Sequence, residues 1–117
     1  MAETITQTVT DYVQAMSYGD ASLLREVFDP RASIVGNYEG ATEWLSLEDF
    51  IHQIRSAGSG LQEHQPDHEI HGIDRAGDTA SVKLTNRFSG MHFSEYLCLL
   101  ERDKNWTITH KLYALQE

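Results

Sequence analysis

Five residues of this chain have chemistry that their immediate surroundings do not call for: Tyr12, Trp44, Asn86, Glu95 and His110. Tyr12 ends an apolar body in a phenol. It could donate one directed hydrogen bond to a ligand, or serve as a core tyrosine whose hydroxyl reaches water or backbone. Glu95 lies inside an apolar stretch, where a desolvated carboxyl could work as an acid or hydrogen-bond donor; it could equally face a dimer interface or a basic partner such as Lys111 or Arg87. His110 falls with Trp106, Ile108 and Leu112 at alternate positions, so the period of two places all four on one face. An imidazole there is suited to proton transfer, or is a satisfied core histidine. Asn86 interrupts an apolar strand face and could orient a ligand carbonyl or amide, or mark a bulge. Trp44 could form a pocket wall or lid, or pack against the helix that follows it. If the chain is an enzyme, Glu95 and His110 are the candidate catalytic groups.

Other chemistries lack support. His64, His68 and His71 have the composition of a metal site, but they fall in a loop entering a strand, and their spacing fixes no ligand geometry. Neither a metal nor a cofactor is expected. Cys98 is the single cysteine, which excludes an internal disulfide and a cysteine-type zinc site and fits a reducing, cytoplasmic compartment. No nucleophile elbow, phosphate loop or dinucleotide fingerprint occurs. Eighteen acidic against nine basic residues give a formal charge of −9. That field repels phosphate backbones and anionic lipid headgroups, so nucleic acid and membrane surfaces are poor partners. The first residues show no basic-then-apolar leader pattern, and no stretch approaches the roughly 18 apolar residues a membrane span needs.

The elements that must position these groups follow from periodicity. At 117 residues and 40% hydrophobic content, residues 1–117 are expected to form one domain. Ile5, Val9, Tyr12, Val13 and Met16 recur at three and four, the pattern of an amphipathic helix over Thr4–Tyr18 that Gly19 stops. Asp20 caps a shorter helix with Leu23, Leu24, Val27 and Phe28 inward, ended by Asp29-Pro30. A short strand at Ala32–Val35 precedes turn residues Gly36-Asn37 and Glu39-Gly40. Ser46 then opens a third helix running through Ala57, with Leu47, Phe50, Ile51 and Ile54 inward, and Gly58-Ser59-Gly60 closes it. The rest alternates as strands: about His68–Ile73, then Thr79–Phe88, His92–Glu101 and Trp106–Tyr113. In the third of these, Phe93, Leu97 and Leu99 share one face while Tyr96, Cys98 and Leu100 make the other apolar too. Burial on both sides is expected, with a second copy of the chain covering the outer face. Helices first and antiparallel strands afterwards is the α+β pattern.

Tyr12-Val13, Gly19-Asp20, Leu23-Leu24, Phe28, Pro30 and Ala32 resemble the opening helices of NTF2-like proteins, including the SnoaL-like and ketosteroid-isomerase branches. The run Phe93-Ser94-Glu95-Tyr96-Leu97-Cys98-Leu99-Leu100-Glu101, a polar turn and Trp106-Thr107-Ile108-Thr109-His110-Lys111 resembles the ending of the putative lumazine-binding family. The resemblance implies an NTF2-like cone, with N-terminal helices packed on a strongly curved antiparallel sheet and an apolar pocket between the first helix and the concave face. In the isomerase branch a helix tyrosine and a sheet carboxylic acid bond a developing oxyanion while an aspartate removes a proton. Tyr12 matches the tyrosine, and Glu95 falls at or within one residue of the sheet acid. The aspartate aligns with Gly36, and neither Val35 nor Asn37 can replace it. The expected function is binding of a small hydrophobic or heterocyclic ligand by a homodimer, with Tyr12, Trp44, Asn86, Glu95 and His110 lining the pocket. The alternatives are a SnoaL-like or ketosteroid-isomerase-like isomerase, cyclase or dehydratase, and a dimeric interaction module whose pocket is plugged.

Overall fold

The computed structural model describes residues 4–56, 67–88 and 90–116. Helix α1 spans Ile5–Tyr18. The Thr4 hydroxyl accepts from the Gln7 backbone N–H at its start, and Gly19 ends it in the left-handed conformation (φ 63°), bonding back to the last carbonyls. Ile5, Val9, Tyr12, Val13 and Met16 are buried as their spacing predicts. Thr8 is buried as well, its hydroxyl donating to the Trp106 carbonyl at 3.1 Å, which ties the helix to the sheet. Asp20 caps α2, Ala21–Val27, accepting from Leu23 N–H at 3.0 Å. Its buried side chains are Leu24 and Val27, while Leu23 is only half-buried. Ser46 caps α3, Leu47–Ser56, through the Asp49 N–H at 3.2 Å, and Leu47, Phe50, Ile51 and Ile54 turn inward. Ala57 and the Gly58-Ser59-Gly60 stop lie outside the described residues.

Among the described residues six strands make one sheet: β1 Phe28–Tyr38, β2 Ala41–Ser46, β3 Asp67–Ala76, β4 Thr79–Phe88, β5 Met91–Arg102 and β6 Asn105–Gln116, in the order β2-β1-β6-β5-β4-β3. Every neighbouring pair is antiparallel except β1 with β6, which runs parallel and corrects the expectation of a wholly antiparallel sheet. The two strands are separated by four other strands and a helix in sequence, so no hairpin constrains their direction. β1 also begins earlier than Ala32. Its ladder to β6 breaks between Phe28 and Ser33, leaving Pro30 where no ladder N–H is required.

The helices cover the concave face, where Val82, Leu84, Leu97, Leu99, Trp106 and Ile108 are buried. Phe28 stands edge-on between Tyr12 and Phe50, with centroids 5.6 and 5.8 Å away, and joins all three helices to β1. At the sheet's end Asp29, 5% exposed, accepts from Arg31 and Arg102. Those bonds, Arg31's first, hold its carboxyl down at about 2. The outer face of β5 is uncovered in the single chain: Tyr96 is 47% exposed, and Cys98 is exposed too.

The decisive local feature is a bulge in β6. Cys98 pairs with His110 but Leu99 with Ile108, so Thr109 is an extra residue and the side-chain alternation shifts by one. Trp106 and Ile108 point into the core before it, Lys111 and Tyr113 after it. His110 is consequently exposed, its ring bonded to Thr109, and does not share the face of Trp106 and Ile108.

Candidate functional site

Beneath the helices, three elements converge on one carboxylate. Glu95 of β5 has no exposed surface. Tyr12 of α1 donates its phenolic hydrogen to Glu95 Oε1 at 2.6 Å, and Asn86 of β4 donates to Oε2 at 3.5 Å. Lys111 of β6 places Nζ 3.9 Å from Oε2, with its side chain 5% exposed. The phenol is pushed well above its ordinary acidity range, first by burial and then by the adjacent Glu95 carboxylate, so Tyr12 remains a donor. Asn86 Oδ1 is buried with no partner among the described residues, although burying an unpaired acceptor costs about 1–3 kcal/mol.

Lys111 joins this cluster to a cavity of about 280 Å³. The cavity is walled by Met16 of α1, Phe50, Gln53 and Ile54 of α3, Tyr38 of β1, Glu43 of β2, and Phe88, Met91, Phe93 and Tyr113 of the sheet. The Lys111 ammonium lies over the rings of Phe50, Tyr113 and Tyr12, at 4.5, 5.0 and 5.3 Å from their centroids. Burial lowers its pKa from the ordinary lysine value, with Glu95 and Glu43 opposing that shift.

A second polar group stands at the other side of the cavity. The pairings Glu43 to Gly36, Gly36 to Tyr113 and Tyr113 to Glu95 form one rung across four strands. Tyr113 reaches over Gly36 to donate its hydroxyl to Glu43, and Gln53 donates to the other Glu43 oxygen at 2.7 Å. Burial, then Glu43, pushes the Tyr113 phenol upward. A Cβ at Gly36 would lie 2.7 Å from ring carbons of Tyr113 and closer still to its carbonyl. The space for a carboxylate at position 36 is taken by that ring.

Of the five residues singled out in the sequence, Tyr12, Asn86 and Glu95 come together, and none of the five is among the cavity-lining residues. Trp44 corrects two expectations at once: it is 76% exposed, on the face of β2 opposite Glu43, and neither walls the cavity nor packs under α3. His110 is removed by the bulge. His64 lies outside the described residues, while His68 and His71 sit on edge strand β3, where His71 bonds Thr85. Among the described residues no three His, Cys, Asp or Glu side chains gather as a metal ion would require, and no helix is long and apolar enough to cross a membrane. The residues that sequence reasoning missed are Lys111 as a cavity residue, Glu43, Gln53 and Tyr113. No local signal marked them: Leu112 continues the even series of Trp106 and Ile108, so the alternation reads as unbroken across the bulge that turns Leu112 outward, 53% exposed, and Lys111 and Tyr113 inward.

Helices on the concave face of a curled six-stranded sheet, with a cavity between them, define the NTF2-like class. Within that class the chain belongs to the family described as putative lumazine-binding, which it matches over residues 1–114. An NTF-2-like protein of unknown function from Silicibacter pomeroyi is 34% identical, with a TM-score of 0.90 over 96% of this chain and 92% of that one. NTF2-like proteins of unknown function from Methylobacillus flagellatus (23% identity, TM-score 0.85, 97% and 90% covered) and Shewanella baltica (21%, 0.80, 97% and 91%) share the fold. No functionally curated protein matches the chain.

Proposed function

We propose that this chain, as one domain, binds a small planar molecule of largely apolar or heterocyclic character in the cavity between α1, α3 and the concave sheet. The observation that carries the reading is an aromatic and aliphatic cavity with one buried cation, Lys111, in its wall. Ligand sites combine such walls with few, well-placed polar groups. At about 280 Å³ the cavity lies near the lower end of that class and suits a compact ring system. The family's name is in keeping with a heterocycle. A thermal-shift screen of lumazine and related fused rings is expected to give stabilisation of about 2.7 kcal/mol at a hundredfold excess over Kd. Loss of that shift in Phe93→Trp, which narrows the cavity, would place the ligand there. Uniform absence of stabilisation across the screen contradicts the reading.

The proposal includes a second copy of the chain on the convex face, in a cytoplasmic compartment that the unpaired Cys98 favours. Trp44 pairs with Val35, Val35 with Leu112 and Leu112 with Tyr96, an apolar row across four strands. Trp44, Leu112 and Tyr96 are 76%, 53% and 47% exposed in the single chain. Such a contiguous patch is characteristic of an interface. Light scattering is expected to give twice the 13.3 kDa chain mass, falling to the monomer value in Trp44→Glu/Leu112→Glu. A monomeric wild-type protein at micromolar concentration removes this part of the proposal.

A further inference from the structure

We propose that Lys111 is a carbonyl-reactive amine whose Nζ forms an imine with an aldehyde or ketone seated in the cavity. The proposal rests on the cavity being a ligand site and adds a covalent step to it. The geometry is that of an amine loosely paired with one carboxylate, without a direct hydrogen bond to it, and open to the cavity. Its hydrogen-bond acceptor is Met16 Sδ at 3.6 Å, a weak one. Among the described residues the nearest carboxylate oxygen, Glu95 Oε2, stands at 3.9 Å, beyond a direct hydrogen bond. The surface pair Arg25–Glu48, by contrast, closes two bonds at 2.8 and 3.0 Å. Lys111 is 5% exposed yet lines the cavity, so its access to a reactant is through that space. The groups facing it are Met16 and Tyr12 from α1, Phe50 from α3, Glu95 from β5 and Tyr113 from its own strand. Glu43 of β2 also acts on it across the cavity. Burial of an amine favours its uncharged, nucleophilic form, the device by which lysines are activated for carbonyl chemistry.

The step balances without an oxidant or reductant. Glu95 takes one proton from the ammonium, and the freed nitrogen lone pair adds to the carbonyl carbon. A C–N bond forms as the carbonyl π pair moves to oxygen, which receives a proton from that nitrogen. Glu95 then returns its proton to the resulting hydroxyl; the C–O bond breaks, water leaves, and the nitrogen lone pair closes the C=N bond. A protonated imine replaces the ammonium. Tyr12, bonded to the other Glu95 oxygen at 2.6 Å, holds the carboxylate in position and is a positioning residue.

The test uses the whole protein with benzaldehyde and cyanoborohydride, which reduces an imine to a stable benzylamine readable by peptide mass mapping. Lys83 and Lys104 are both exposed and are the only other lysines, so each serves as an internal comparison. Lys111 is expected to be benzylated about tenfold faster than either, with the rate falling in Glu95→Gln. Lys111→Met, whose folding is checked by circular dichroism, should lose that adduct alone. Labelling spread over Lys83, Lys104 and the N-terminus with Lys111 untouched overturns the proposal. Benzyl alcohol, which has the same ring and no carbonyl, separates the two readings. If it stabilises the protein while Lys111 stays unlabelled, the ligand site stands and the imine does not; if neither compound stabilises and no Lys111 adduct forms, the site falls with it.

Discussion

Replacing Glu95 by alanine is expected to destabilise the protein by about 3–5 kcal/mol, the cost of leaving a buried charge without its counter-ion. Lys111, 5% exposed, would then face three aromatic rings and a thioether, with Glu43 the other carboxylate among the described residues that acts on it. The Tyr12 hydroxyl and Asn86 Nδ2 would lose their Glu95 acceptor as well. The loss is one of pairing rather than of net attraction, since buried ion pairs are often replaced by apolar groups at little cost. The triple variant Tyr12→Phe/Glu95→Leu/Lys111→Met should therefore recover part of the stability, buried Asn86 keeping the rest back, while abolishing the site. Urea denaturation of the single and triple variants checks both halves. A Glu95→Ala protein within about 1 kcal/mol of wild type would mean that the cluster is not the isolated, mutually dependent unit described above.

The second large effect is expected at Gly36. Its neighbour across the parallel ladder is Tyr113, whose ring and carbonyl occupy the volume of any added Cβ. Gly36→Ala should cost about 1–3 kcal/mol by overpacking, and should push Tyr113 off Glu43, deforming the cavity wall they share. Gly36→Asp, which would install the carboxylate of the isomerase branch, should be worse, because it adds a charge to the same occupied space. Tyr113→Phe is the control: it removes the hydroxyl bond but keeps the ring and should retain the fold. The comparison is made from denaturation midpoints. If Gly36→Ala unfolds at the wild-type midpoint, the close approach is not a constraint in solution.

The contrast between these two positions indicates what was legible in the sequence. Tyr12 and Glu95 could be singled out because each breaks a pattern, a phenol on an apolar helix stripe and an acid in an apolar strand. Their contact at 2.6 Å follows from α1 packing across the sheet. The helices were legible because their apolar stripes recur at three and four and because Gly19, Asp20 and Ser46 carry the chemistry of helix ends. β4 was legible because strict alternation buries one face, including Asn86. The phase of β6 was not, because a single inserted residue, Thr109, exchanges the two faces and trades His110 for Lys111. β2 was also hidden. It is an edge strand with no buried residue, so the inward direction of Glu43 and the outward direction of Trp44 depend on its pairing with β1, a tertiary fact. The parallel β1–β6 ladder is likewise a long-range pairing that no local pattern encodes.

Ligand binding in the cavity beside Lys111 underlies both the proposed function and the imine chemistry. It is tested most directly by a crystal structure of the protein soaked with the strongest stabilising ring compound from the screen. Density is expected for one molecule between Phe50, Phe93 and Tyr113, with a polar atom within hydrogen-bonding distance of Lys111 Nζ. A molecule bound only on the convex sheet face, with the cavity closed by its own side chains, would contradict it.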